Sequence, residues 1–130
     1  MNRALLDTRT LLGLMEDDPK LGGAAKRLIE TADVPLFFSF AGLWEMAVKQ
    51  SIGKLSLSLS ISDVVESRIL AVGISLLDVR VEHITRDAEL PMHHREPFDR
   101  LLAAQCLGEN MGTLSRDALF DAYGVEREWD

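Results

Sequence analysis

Cysteine is almost missing from this chain. Cys106 is the only thiol in 130 residues, so no intrachain disulfide can form and the fold must be held by packing alone. Long apolar runs are also missing. The stretch from Phe37 to Trp44 is broken by Ser39 and Gly42 and falls far short of the roughly 20 residues that span a bilayer. The start, Met1-Asn2-Arg3-Ala4-Leu5-Leu6-Asp7, has neither the apolar core nor the cleavage site of a secretory signal. These absences predict a cytoplasmic protein with no membrane segment. Basic charge is in deficit as well, 14 Lys and Arg against 21 Asp and Glu for a net −7. That balance disfavours nucleic acid as a partner, because phosphate binding draws on clustered bases. The exclusion holds only on average, since four acids gathered round a divalent cation would leave about −3 elsewhere and the cation would reverse the sign of the pocket. No glycine-rich phosphate loop is present, because Gly22-Gly23 lacks the Lys-Ser/Thr that completes one. Ser39 and Ser115 have no partner suggesting acyl transfer, and no repeat, low-complexity segment or linker interrupts the chain.

What is present is an ordinary globular composition, 47% hydrophobic and 27% charged, long enough for one core and read as a single domain over 1–130. Short apolar runs at Ala4–Leu6, Leu36–Phe38, Ile74–Leu77 and Thr113–Ser115 read as strands, with Val125–Trp129 as a possible edge strand. Leu55, Leu57 and Leu59 alternate with serines over too short a span to separate a strand from an extended connector. Between these runs the spacing predicts helices from Asp7 or Thr8 through Met15, from about Gly23 to Thr31, and from Ser39 to Gly53. A further helix starts at the capping-box pattern Ser60-Ile61-Ser62-Asp63 and ends at Gly73, with Ile61, Val64, Val65, Ile69 and Val72 on one face. Helices near Val81–Ala88 and from Pro97 to about Gly108 complete the series. Strands alternating with helices predict a three-layer α/β/α fold with a central, mainly parallel sheet.

Four acids, Asp7, Glu45, Asp99 and Asp117, fall at strand-to-helix transitions or in the helix just beyond. In a parallel sheet, ligands bind outside the carboxyl ends of the strands, so acids at such junctions can converge. Converging carboxylates supply the hard oxygen ligands that Mg²⁺ or Mn²⁺ requires, and the four are read as one metal site. Each also has a structural reading. Asp7 and Asp117 can be helix caps, Asp99 a first-turn acid favoured by the helix dipole, and Glu45 the i, i+4 partner of Lys49. His93 and His94 lack a second ligand at metal-binding spacing and read as surface imidazoles. Trp44 and Phe98 read as core residues, and Cys106 as a small buried hydrophobe.

The blocks Leu5-Leu6-Asp7-Thr8, Leu43-Trp44-Glu45-Met46-Ala47-Val48-Lys49-Gln50, Gly53-Lys54-Leu55, His93-His94-Arg95-Glu96-Pro97-Phe98-Asp99-Arg100 and Ser115-Arg116-Asp117 resemble the PIN-domain family, in particular the VapC-type toxins of bacterial toxin–antitoxin pairs. The resemblance runs from about residue 3 to Trp129. It implies a Mg²⁺- or Mn²⁺-dependent endoribonuclease with Asp7, Glu45, Asp99 and Asp117 as catalytic metal ligands, the first three forming the inner site and Asp117 ligating more loosely. It implies hydrolysis that leaves a 5′-phosphate, a tRNA or rRNA target and inhibited translation. It further implies a VapB-like antitoxin as partner and a homodimer. Ser115 is expected to orient Asp117 or a water, while Thr8, Arg9, Lys49, Arg95, Arg100 and Arg116 are candidates for contacting RNA. The chain departs from the family pattern at Arg9, Gly13 and Glu96, none of them a candidate ligand. Two alternatives stay open: a non-catalytic PIN-like module binding RNA or protein, and an α/β phosphotransfer domain using Asp7, which lacks the second nearby Asp.

Overall fold

The computed structural model describes residues 1–31 and 33–130. Five strands, β1 (Ala4–Leu6), β2 (Leu36–Ser39), β3 (Ser75–Leu77), β4 (Gly112–Leu114) and β5 (Arg127–Glu128), form one sheet in the order β3-β2-β1-β4-β5. All pairings are parallel. A parallel neighbour can be reached only by a crossover, and the crossovers are α1 (Thr8–Met15), α2 (Gly23–Thr31), α3 (Phe40–Ser51), α4 (Ile61–Val64), α5 (Val81–Glu89) and α6 (Pro97–Glu109). Leu55, Leu57 and Leu59 lie in a connector, partly buried against the core.

The central strand alternates its loyalties, as a pleated strand covered on both faces must. Ala4 and Leu6 join Leu11, Phe38, Met46 and Ile69 in one core, whereas Leu5 joins Leu102, Ala103, Cys106 and Phe120 in the other. Cys106 is buried as predicted, and burial pushes its thiol up to about 12. Chain order reverses at β1, whose neighbours β2 and β4 lie on opposite sides. This makes the β1–β4 crevice the switch point where parallel sheets place ligands.

The segment after Ser60 departs from the expected single helix. Ser60 caps it, its hydroxyl accepting from Asp63 N at 3.1 Å, but α4 passes into a π-helical turn (Val65–Ile69) and then a 3₁₀ turn (Leu70–Val72). Val64 and Ile69, five residues apart, would point well apart on a regular α-helix, and the wider π turn lets both reach the core. The slipped register leaves Val72 58% exposed, against the expectation that it shares the buried face. Gly73 then stops the segment at φ 87°, a left-handed conformation that suits glycine. Helix α6 runs one residue past Gly108 and stops at Asn110, also left-handed.

The C-terminal tail is seated by a close approach. The carbonyl of Trp129 accepts from Ala25 N at 3.0 Å, satisfying a donor in the first turn of α2 that has no intrahelical partner. Only glycine at position 22 permits this, because a Cβ there would lie 2.1 Å from that same carbonyl oxygen. Gly22→Ala should therefore lower stability by about 1–3 kcal/mol and expose Trp129. Urea denaturation together with a red shift of indole emission in a Trp44→Phe background, where Trp129 is the sole tryptophan, checks this. A variant that melts and fluoresces like its parent would show the tail seated elsewhere.

Candidate metal centre

Each of the four acids is delivered by the local structure its sequence dictates. Asp7 leaves β1 and caps α1, its Oδ1 accepting from Thr10 N at 2.9 Å and from Thr10 Oγ1 at 2.6 Å. Ser115, one residue past β4, donates its hydroxyl to Asp7 Oδ2 and accepts at the same oxygen from Asp117 N at 3.0 Å. Asp117 caps the 3₁₀ helix Ala118–Tyr123 through Oδ1, which accepts from Leu119 N at 3.0 Å. Glu45 sits in the second turn of α3, which Ser39 caps by accepting from Ala41 N. Although buried, it accepts from Thr8 Oγ1 at 2.6 Å and holds Lys49 Nζ at 2.6 Å. The Glu45–Lys49 pair is thus real, and it lies inside the site. That contact raises the Lys49 pKa.

Asp99 differs from the other three. It stands in the first turn of α6, which Glu96 caps and Pro97 opens, and its carboxylate has no hydrogen-bond or ion-pair partner among the described residues. Burial pushes its pKa from 3.8 to about 6, with the charges of Glu45 and Asp7 adding to the shift, His94 opposing it and Asp117 raising it slightly. Hydrogen bonds link Asp7 to Asp117 through Ser115 and Glu45 to Thr8, the residue next to Asp7, while Asp99 lies beside Asp117. Burial raises the Asp7 pKa too, against the hydrogen bonds of Ser115 and Thr10 and the charge of Arg9.

A carboxylate offers about four lone-pair positions. Asp7 commits three of them to protein donors, Glu45 and Asp117 commit two each, and Asp99 commits none. The remaining capacity is all oxygen, the donor set that suits Mg²⁺ or Mn²⁺. His94 lies beside them, with one ring nitrogen and one carboxylate oxygen each from Asp99 and Asp117 within 4.8 Å of one another, but both of its nitrogens are engaged by Asp117 and Tyr123. Fit to a divalent cation rests on this chemistry and on the unpartnered Asp99.

His94 stands at the site although its polar sequence neighbours suggest a surface position. It is not a surface imidazole but 3% exposed. Its Nε2 lies 2.8 Å from Asp117 Oδ2, and its Nδ1 and backbone N lie 3.2 and 3.0 Å from Tyr123 Oη. The backbone N–H donates to Tyr123 Oη, so that hydroxyl can in turn donate to Nδ1, leaving the Nε2 proton for Asp117. The adjacent His93 is exposed and packs edge-on against the Tyr123 ring. Proximity of His94 to Pro97-Phe98-Asp99 was the available signal, whereas nothing local marks Tyr123. Trp44 is also corrected: it is 66% exposed, edge-on to half-buried Phe98.

The basic candidates divide. Arg100 donates to Leu90 O and pairs with Asp87 at 3.4 Å, tying α6 to the end of α5, so it is not free for RNA. Lys49 is committed to Glu45, and Thr8 and Ser115 are buried donors to the acids. Arg9, Arg95 and Arg116 are exposed.

The raised pKa of Asp99 has a signed consequence for stability. The folded chain holds this proton to a higher pH than the unfolded chain, so a penalty is absent below 3.8, grows as pH rises to about 6 and is complete above it. Asp99→Asn should remove it. After discounting for solvent screening, the metal-free variant should gain on the order of 1–2 kcal/mol at pH 7 and nothing at pH 3.5. Urea melts in EDTA across that range test this, and an equal effect at both ends would show the acids uncoupled.

Residues 4–126 match the PIN domain family. Comparison with curated proteins finds no match. Several solved structures are similar. VapBC2 from Rickettsia felis, bound to a DNA fragment from their promoter, is 17% identical with 98% of both chains covered and a TM-score of 0.71. A toxin–antitoxin complex from Klebsiella pneumoniae is 16% identical, covering 88% of this chain and 86% of that one, with a TM-score of 0.61. VapBC-1 from nontypeable Haemophilus influenzae is 15% identical, with 96% of both covered and a TM-score of 0.62. At these identities the structures speak for the fold, while the family match spans nearly the whole chain. The chain belongs to the PIN-domain family.

Proposed function

We propose that this PIN domain is a divalent-metal-dependent endoribonuclease of the VapC type, hydrolysing RNA phosphodiesters as the toxin of a toxin–antitoxin pair. The observation that carries the reading is Asp99, a carboxylate without a protein partner in the field of three other acids. A bound Mg²⁺ or Mn²⁺ would supply Lewis acidity, activating water and offsetting charge on the phosphodiester. Asp7, Glu45, Asp99 and Asp117 would hold the ion, Asp99 with the most free coordination capacity. Thr8, Thr10 and Ser115 fix the carboxylate planes of Glu45 and Asp7, and Lys49 balances the charge of Glu45. His94 donates to Asp117 and is itself positioned by Tyr123.

A protein antitoxin is the expected partner, since the similar Klebsiella pneumoniae structure is a toxin–antitoxin complex. Exposed Val72, Val81 and Ile84 offer apolar surface for a second copy of the chain. No helix among the described residues is long and apolar enough to cross a membrane. A tRNA or rRNA target and a cytoplasmic location complete the proposal.

The purified full chain, stripped with EDTA and returned to Mn²⁺, should cut total RNA to 5′-phosphate ends and gain about 2.7 kcal/mol of stability at a hundredfold excess over Kd. Asp7→Asn and Asp99→Asn should lose both effects; cleavage persisting in either variant at the parent rate overturns the reading. Metal-affinity losses of roughly 10- to 100-fold are expected when an outer partner of a ligand is removed. Calorimetric titration with Mn²⁺ should therefore find that loss in His94→Ala and Tyr123→Phe. Parent-like affinity in both would reduce the His94–Tyr123 pair to a packing role.

A further inference from the structure

Beside the acids, between α1, the turn leading into α2 and the segment after β4, lies a cavity of about 490 Å³. Its lining includes Asp7, Arg9, Gly13, Lys20, Arg116 and Trp129. A nucleotide fits a space of this order, since small-molecule sites run from about 300 to 1,000 Å³. The charges in it are unusual for a chain of net −7. Arg9, Lys20 and Arg116 are all exposed, and none has a carboxylate within ion-pair distance among the described residues. Of the acids in the same lining, Asp7 and Asp117 belong to the metal centre and Asp18 accepts from the backbone of Lys20 at 2.9 Å. Half-buried Trp129 forms an apolar wall, held in place by the carbonyl bond to Ala25 and the close seat on Gly22. Gly13 leaves the α1 side open, with a Cβ there meeting nothing nearer than 3.7 Å.

Three uncommitted cations, an aromatic wall and an edge shared with the metal centre are the parts that single-stranded nucleic acid uses: phosphate contacts and a stacking surface. We propose that this cavity is a nucleotide subsite, receiving the nucleotide next to the scissile phosphodiester, with Arg9, Lys20 and Arg116 on its phosphate and Trp129 against its base. The assignment rests on the nuclease reading for what lies at the adjoining edge. It adds Lys20 and Trp129 to the RNA-contacting residues and makes the C-terminal tail part of the substrate surface.

Gly13→Leu is the decisive variant, because leucine favours a helix more than glycine does and yet projects into the cavity. In a Trp44→Phe background, a single-stranded RNA tetranucleotide should quench Trp129. Gly13→Leu should weaken that binding at least about tenfold, a loss on the scale of a single stacked base. Lys20→Ala and Arg116→Ala should each flatten the dependence of log Kobs on log salt by about 0.7. In cleavage, Gly13→Leu should lose the advantage of the tetranucleotide over a dinucleotide. Cleavage by the parent chain with quenching and length preference unaltered in all three variants overturns the subsite and spares the nuclease. Saturable quenching that depends on these residues, without any cleavage, does the reverse. Quenching by an acidic peptide but not by RNA would assign the cavity to a protein partner and overturn the proposal.

Discussion

Four carboxylates crowded at one sheet edge are the constraint that the rest of the structure answers to. Two unit charges about 5 Å apart repel by roughly 3 kcal/mol at an effective dielectric near 20, so the cluster opposes folding when no cation is present. Its position follows from the topology. With every strand parallel, all carboxyl ends lie on one side, and the helices that return the chain begin there. Asp7 directly follows β1, Asp117 lies shortly after β4, Glu45 sits in the second turn of the helix after β2, and Asp99 lies in the first turn of the helix that leads back into β4. The local donors Thr8, Thr10, Ser115 and Lys49 offset part of the repulsion. The two apolar cores, one on each sheet face, carry the remainder. A costly cluster of this kind is the sort of local conflict that folds tolerate at functional or strained sites.

The structural and functional readings of these acids turn out to be compatible. Asp7 and Asp117 are helix caps, and Glu45 does pair with Lys49. A cap uses one or two lone pairs of a carboxylate and leaves the others directed elsewhere. Capping also fixes the plane of the group, which a ligand benefits from. Asp99, the acid that makes no hydrogen bond among the described residues, has its pKa raised by burial and by its acidic neighbours and keeps the most coordination capacity. Division of labour among chemically identical side chains is thus written in their hydrogen bonds.

Strand positions, helix starts and caps were legible in the sequence because each depends on a few adjacent residues: Ser39, Ser60, Pro97 and Asp7 all act where their neighbours place them. The differences lie where tertiary contacts or helix register, rather than adjacent residues, set the environment. The polar neighbours of His94 suggest a surface position, yet a tyrosine 29 residues away holds it by hydrogen bonds to its backbone and ring. Trp44 stands on an apolar helix but on a side where only the edge of Phe98 meets it among the described residues, leaving it 66% exposed. Val72 was displaced by a π turn that hydrophobic spacing does not reveal, since a regular 3.6-residue period is assumed in reading it. Arg100 lies beside Asp99 in sequence and was grouped with it, although its guanidinium bonds back to the end of α5.

Net charge illustrates the same limit on a larger scale. An excess of acids argues against phosphate binding only if charge is spread evenly, and here it is not. Part of the excess is gathered in the carboxylate cluster, where a divalent cation would offset it, while Arg9, Lys20 and Arg116 line the adjoining cavity without an ion-pair partner among the described residues. The tail makes that lining continuous: Trp129 closes one wall only because Gly22 admits its backbone, and that seat also satisfies one first-turn donor of α2. A glycine with no chemistry of its own therefore links helix capping, the placing of the final strand and the shape of the surface beside the acids. Local field and local shape, rather than the sum over the chain, decide what can approach the carboxylates.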